Sequence, residues 1–559
     1  MIRRFFIYLG LIFIILSTTL SALFYLDYSK VAVPISVSEP PPRGVVLLVP
    51  LDSRPPCTDY VTSLARMAGF QVILPPSELL DDYRQPGNAA GMREWLQHNI
   101  SRADTAIISV DMLLHGGLLA SRKGIGSAET ADELADLLTT LHEKQPQVKL
   151  YAFNIIPRLL ISDDPHTEKY KLPMAEWSIL QETTSLFENP NDIHRLQTLE
   201  AAIPPEIPAR YRKLYADNHR LNQRLVALAK TGVLSGLVLG QDDSAPFGLA
   251  NMERQRLENE IGNQPEIQEK FFLTRGTDEV ALTLLGQATR SASDARHKVY
   301  VHYTEDHTAD AILPYMPRPL SQTVSEKLAL SAAYTTDSPT EADYILVVHA
   351  GNSKSRKQQL EHEATLIKEW VAAGCKVALV DLATDWSENQ TLLPYLQKNG
   401  AHVHQLLTYA GWNTASNSVG TAVTQAAMVL RGQNAKDFSV ALYRDIARTK
   451  FLSERILDDW YYQKIYRNQL NEDLQKQQIN PYDLKLARQT VTNRINHQLY
   501  NAKLQYIRRD WRNAVFPLAS DDLGAYAIDR WDIHSGLPWD RTFEIFVGIN
   551  PVPARIIQR

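Results

Sequence analysis

Short runs of β-branched and leucine-rich residues recur along the chain, separated by stretches with apolar positions three and four apart. The first kind of run predicts strands buried in a sheet, and the second predicts helices laid on its faces. Strands are expected at 45–49, 71–74, 105–110, 149–155, 236–239, 298–302, 344–348, 376–380 and 402–407, with a weaker one at 271–273. Helices are expected at 59–67, 131–143, 208–230, 252–261, 279–290 and 358–373. Strand, helix and strand in alternation mean an α/β fold with a mainly parallel sheet. Two architectures satisfy the pattern. One is a (β/α)-barrel with extra units; the other is a barrel-like lobe over 44–296 followed by a Rossmann-like lobe over 297–432. From 433 to 515 glycine is absent, charged residues and amides rise, and the pattern turns helical. The C-terminal region 433–559 is therefore expected to be helical, closing on a strand within 543–549.

The N-terminus changes the picture. Two arginines precede an uncharged apolar run from Phe5 to Leu26, long enough to span a bilayer as one helix. With the positive charges ahead of the run and Asp27 behind it, residues 1–30 are expected to be a signal-anchor, with the N-terminus cytoplasmic and the body outside the membrane. A cleaved signal peptide is the competing reading. Four prolines in 31–43 suggest an extended linker. The expected localisation is thus a bacterial cell membrane, single-pass.

The rest of the composition is that of a folded protein, 44% apolar and 22% charged. A net charge of −5 and no basic stripe argue against nucleic acid as a partner. Cys57 and Cys375 are the two cysteines. One follows a predicted strand and the other precedes one, which puts them at opposite sheet edges, beyond the reach of a disulfide.

In parallel α/β folds the active site collects at the carboxyl ends of the strands, and here those ends are rich in reactive groups. Strand 45–49 runs into Pro50-Leu-Asp52-Ser-Arg54-Pro-Pro56; strand 105–110 into Asp111 and His115-Gly-Gly117; strand 149–155 into Arg158; strand 236–239 into Gln241-Asp242-Asp243-Ser244. Asp52 and Arg54, in a proline-stiffened loop, suit gripping a polar ligand. An Asp–Arg pair that merely closes the loop is the plain alternative. Asp242 and Asp243 are the candidates for acid–base work, since neighbouring like charges raise one carboxyl's pKa. Trp412 beside Asn413 could stack on a sugar ring while the amide bonds its hydroxyls. His115, His302 and His349 show no metal-ligand spacing, so no metal is expected. With no Walker loop, GxSxG elbow or GxGxxG after the first strand, no cofactor is expected either.

PLDSRP at 50–55, GQDDSAPFG at 240–248, GTDE at 276–279 and YAGWNTASNSVG at 409–420 together resemble a bacterial family of unknown function whose hallmark is an LDSRP motif. The likeness runs from about Val45 to Asn550. It implies that Asp52, Arg54, Asp242, Asp243, Asp278, Glu279, Trp412 and Asn413 belong to the family's shared pattern. The adjacent Asp242-Asp243 pair is also similar to the Asp pair of some N-acetylhexosaminidases. There one carboxylate steers the substrate's acetamide and the other is the general acid, a substrate-assisted scheme. The expected function is an extracytoplasmic carbohydrate-active hydrolase, a glycosidase acting on an envelope or imported glycan. Asp243 would be the proton donor and Asp242 the orienter; Asp52, Arg54, Asp111, His115, Arg158, Asp278, Glu279, Trp412 and Asn413 would bind the substrate. The alternative is a non-catalytic glycan- or peptidoglycan-binding or envelope-assembly protein.

Overall fold

The computed structural model describes residues 30–558 except 125–127, 162–165, 263–266, 268, 292–293, 352–356, 384–389, 509–510, 512–513 and 519–522. Its strands, in chain order, are β1 (Lys30–Pro34), β2 (Gly44–Val49), β3 (Phe70–Ile73), β4 (Thr105–Ser109), β5 (Lys149–Ile156), β6 (Gly236–Gln241), β7 (Phe271–Arg275), β8 (His297–Tyr303), β9 (Ala333–Thr335), β10 (Tyr344–His349), β11 (Val377–Asp381), β12 (Thr408–Ala410), β13 (Phe516–Pro517), β14 (Ala525–Gly536) and β15 (Phe546–Gln558).

The fold is α/β, built on two parallel sheets. The first has the order β3-β2-β4-β5-β6-β7 and the second β12-β11-β10-β8-β9. Every pairing within them is parallel. Neither sheet closes on itself among the described residues, so the expected barrel gives way to two open sheets. The reason lies in the side chains. In β2, Val46 and Leu48 point into one apolar core while Leu47 and Val49 point into another, as the two-residue period of a strand dictates. β10 splits likewise, with Leu346 and Val348 on one side and Ile345 and Val347 on the other. Each sheet is thus covered on both faces, and the middle core is shared. Helices Asp59–Met67, Val280–Ala288, Leu320–Leu330 and Ala415–Gly432 fill it. The last is rich in Ala, Ser, Thr and Gly and is buried almost along its whole length. Small side chains let four helices and two sheets share that layer.

A third, antiparallel sheet has the order β1-β15-β14-β13. The start of the stretch expected to be a linker is strand β1, paired with β15 from Lys30↔Gln558 to Pro34↔Ala554. The membrane expectation is corrected. No helix among the described residues is long and apolar enough to cross a membrane; the apolar strands of the two parallel sheets are three to eight residues long. The run from 5 to 26, on which the anchor rested, lies outside the described residues. The signal-anchor and the single-pass cell-membrane localisation are withdrawn. The strand expected at 402–407 is corrected too: Val403–Gln405 forms a 3₁₀ turn and β12 follows at Thr408. A short apolar run does not fix its own conformation.

Candidate functional site

The loop after β2 is held by its own charges. Arg54 Nη2 lies 2.6 Å from Asp52 Oδ2 and 2.5 Å from Asp278 Oδ1, a residue beyond the end of β7. Its Nε donates to both oxygens of Asp52 at 3.1 Å. All three groups are buried. Burial by itself would lower the Arg54 pKa, but Asp278 and Asp52 outweigh it and hold the pKa above its usual value. Burial has the opposite effect on Asp278, raising its carboxyl despite Arg54. The amides of Asn413 and Asn417, beyond β12, each donate to Asp278 Oδ2 at 3.5 Å. Asn413 sits at φ 59°, a left-handed conformation that asparagine tolerates better than most residues. Asp52 and Arg54 therefore do close the loop and bind it to the end of β7, and Asp278, through Asn413 and Asn417, ties the first sheet to the second.

A C-terminal loop joins this cluster from above. Trp539, between β14 and β15, donates from Nε1 to Ser53 Oγ at 2.8 Å, and its ring lies 4.7 Å under the Arg54 guanidinium. The Ser53 amide donates to Asp81 Oδ1 at 2.7 Å. Burial, with Asp52 nearby, pushes Asp81 up to about 8.

The end of β6 carries two carboxylates with different surroundings. Asp242 is buried and accepts a fork from Arg122, Nε to Oδ2 at 2.8 Å and Nη2 to Oδ1 at 2.9 Å. The Asp243 carboxylate has no hydrogen-bond donor among the described residues. Burial, and then the charge of Asp242, push it up to about 7 against the opposing effect of Arg122 and Arg158. Its backbone carbonyl accepts the Leu159 amide at 2.8 Å, which ties it to the loop after β5. That loop is stiffened from below, where the Tyr211 and Tyr215 hydroxyls donate to the carbonyls of residues 157–159.

A cavity of about 560 Å³ opens between these groups, within the range of small-ligand sites. The carboxyl ends of four strands of the first sheet and one of the second meet there: Arg54 after β2, Arg158 after β5, Asp242 and Asp243 after β6, Asp278 after β7, and Asn413 after β12 all line it. Asp52 stands behind Arg54. Asp111 and His115 lie one layer away, lining a smaller neighbouring cavity with Arg122 and Asp242. Burial pushes Asp111 up to about 7 and His115 down to about 4. Glu279 and Trp412 do not line the 560 Å³ cavity. Glu279 is a core ion-pair partner, 2.8 Å from the buried Lys327 and accepting Ser416 Oγ at 2.5 Å. Trp412 is buried with its edge against Phe543. Gly276 explains the tight turn that separates Asp278 from β7: at φ 95°, any side chain there would meet Glu279 and Ser416.

Several lining residues were not anticipated from the sequence. Arg122 sits just after a short helix, Leu118–Ser121, and Trp539, Arg541 and Phe543 belong to the β14–β15 loop. Tyr83 stacks near Trp539, with ring centroids 5.4 Å apart. Only a generic signal marked them, an aromatic and an arginine in a turn-rich stretch.

Metal chemistry would first be sought at Asp52, Cys57 and Asp278, whose ligand atoms lie within 4.8 Å of one another. The residues do not suit a cation. Arg54 already fills the space between the two carboxylates with a positive charge, and burial raises the Cys57 thiol well above its ordinary range. Both cysteines are free. His302 bonds Glu363 and His349 bonds Thr304, so these two of the three candidate histidines keep separate partners.

Residues 46–548 match the family described as "Protein of unknown function (DUF4127)". No curated protein matches the chain. One solved structure, titled "The first ketoreductase of the tylosin PKS", aligns at 11% identity with a TM-score of 0.16, covering 71% of this chain and 76% of that one. A score that low carries no argument about fold or activity. The family match spans most of the chain, which belongs to the DUF4127 family.

Proposed function

For this DUF4127 chain we propose a carbohydrate-active hydrolase, a glycosidase in which Asp243 is the general acid. The observation that carries the reading is the split between adjacent carboxylates. Asp242 is forked by Arg122, whereas Asp243 has no side-chain donor among the described residues and is pushed up to about 7. Groups whose surroundings set them apart in this way divide acid and base roles. A carboxyl near 7 is substantially protonated at neutral pH and can hand its proton to a glycosidic oxygen.

The other carboxylates of the cavity are engaged. Asp278 is bound by Arg54, and Glu168, at the mouth, lies 3.2 Å from Lys171. That distribution favours a nucleophile supplied by the substrate. The carbonyl oxygen of a 2-acetamido group would attack the anomeric carbon as the glycosidic bond breaks, and Asp243 would protonate the departing oxygen. Water would then open the cyclic intermediate, giving its proton to the Asp243 carboxylate and restoring the acid. Asp242, fixed by Arg122, would accept the acetamide N–H. Arg54 and Asn413 suit hydroxyls, and the half-buried Tyr83, packed beside the buried Trp539, takes the stacking role expected of Trp412.

The test is a leaving-group series on Asp243→Asn. Losing the acid should leave N-acetylhexosaminides with acidic phenol leaving groups nearly as reactive as before. Those with alkyl or sugar leaving groups should slow by about 10²–10⁴. Equal losses across the series would remove Asp243 from the acid role. A non-catalytic glycan-binding protein is the second reading, favoured by the paired arginines and asparagines of the cavity; it predicts tight binding of an N-acetylated oligosaccharide with no turnover at any pH.

A further inference from the structure

A second cavity, of about 600 Å³, adjoins the first and shares Arg122 and Arg158 with it. Its wall is apolar, with Pro157, Ile161, Ile207, Tyr211 and Leu214 among its lining residues. Among the described lining residues the exposed charges are mainly cationic: Lys123, Lys169 and Arg210, with Glu206 the acidic one. The dividing wall is the loop after β5. Arg158 is laid along it by hydrogen bonds from Nε to the Leu160 carbonyl at 3.1 Å and from Nη2 to the Ile161 carbonyl at 3.2 Å. Leu159, in the same loop, holds the backbone of Asp243. The loop that walls the cavity is thus the one that holds the proposed acid's backbone.

We propose that this cavity is a binding site for an apolar group bearing a negative charge, and that its occupant is the leaving-group part of the substrate. The apolar wall supplies transfer free energy without direction. The lysines and arginine at the mouth supply sign, favouring a carboxylate or phosphate over a neutral or cationic head. A general acid protonates the departing oxygen, so the group attached to that oxygen lies on the acid's side of the site. The β5 loop puts the second cavity on that side. Naming the occupant as a leaving group rests on the glycosidase reading, whereas the preference for an apolar anion rests on the cavity alone.

The experiment measures binding, so it does not depend on turnover. Decanoate, decanol and decyltrimethylammonium are titrated into the full chain by calorimetry. Leu214→Glu, which puts a charge on the apolar wall, and the pair Lys169→Glu with Arg210→Glu, which reverses the mouth, are titrated alongside. Circular dichroism checks that each variant is folded, and the exposed mouth residues give variants that do not disturb the core. Decanoate is expected to bind about tenfold or more tighter than decanol, the loss that follows from removing one charge-assisted contact. Leu214→Glu should abolish its binding, and the mouth variant should erase the preference for it. Equal binding of all three amphiphiles, or decanoate binding unchanged in both variants, overturns the proposal. The two readings fail separately. Decanoate bound at this cavity by a protein that hydrolyses no glycoside would sink the glycosidase and leave the site; hydrolysis with no decanoate binding would do the reverse.

Discussion

Replacing Arg54 by Met leaves a hydrophobic side chain of similar length between two buried carboxylates. In the native protein the guanidinium lies 2.6 Å from Asp52 and 2.5 Å from Asp278, with side-chain exposures of 5%, 0% and 4% for Arg54, Asp52 and Asp278. Breaking a buried pair by removing one partner costs about 3–5 kcal/mol, because the surviving charge stays buried and uncompensated. Here two charges survive. Loss of the cation over the Trp539 ring adds roughly 0.5–2 kcal/mol. The pH dependence follows in sign. Burial already raises the Asp278 carboxyl above the unfolded value of about 3.9, and without Arg54 the charge that opposes that rise is gone. A group raised on folding binds its proton more tightly in the native state, so the variant regains stability as pH falls through the raised values. Every tenfold tightening of a carboxyl's hold on its proton returns about 1.4 kcal/mol. Thermal unfolding followed by circular dichroism from pH 8 to pH 5 should therefore show a large deficit at pH 8 that narrows on acidification. An unchanged Tm at pH 8, or a deficit constant across that range, would refute the claim that Arg54 compensates two buried charges.

Other outcomes are equally specific. Asp242→Asn removes the charge that, after burial, does most to raise Asp243 and leaves Arg122 beside it as an opposing cation. The alkaline limb of kcat/KM should move to lower pH; an unmoved limb would show that the two carboxyls do not communicate. Trp539→Ala removes the ring packed on Arg54 and the Ser53 hydrogen bond that hold the loop after β2, and KM should rise roughly tenfold for a loss of about 1.4 kcal/mol, with inhibitor titration as the check. Lys327→Met leaves Glu279 buried without its cation, costing about 3–5 kcal/mol; adding Glu279→Gln should return part of the Tm if the pair is structural.

The α/β class and nearly all parallel strands were legible because apolar runs such as VVLLV and YILVV are buried on both faces and carry no alternation. The collection of chemistry at strand ends was legible for the same reason: a parallel sheet sends every one of its carboxyl ends to one edge. Closure was not. Whether β3 meets β7 depends on which helices fill the space between the sheets, and no local pattern encodes that. Glu279 and Asp278 are adjacent in sequence, yet one lines the cavity and the other faces Lys327 in the core, because the turn at Gly276 sends their side chains apart. Trp412 and Trp539 were indistinguishable as sequence. Only the hairpin β14–β15, folded back over Ser53, decides which ring faces the cavity. Arg122 follows a stretch with no motif, and its fork to Asp242 spans 120 residues.

The claim on which the rest depends is that a protonated Asp243 does work in this cavity. The most direct measurement is kcat/KM for an alkyl N-acetylhexosaminide as a function of pH, on the native chain and on Asp243→Asn. Activity should fall above an apparent pKa of about 7 in the native protein, and the variant should keep a residual rate with no such limb. The same limb in both proteins, at the same pH, would contradict it.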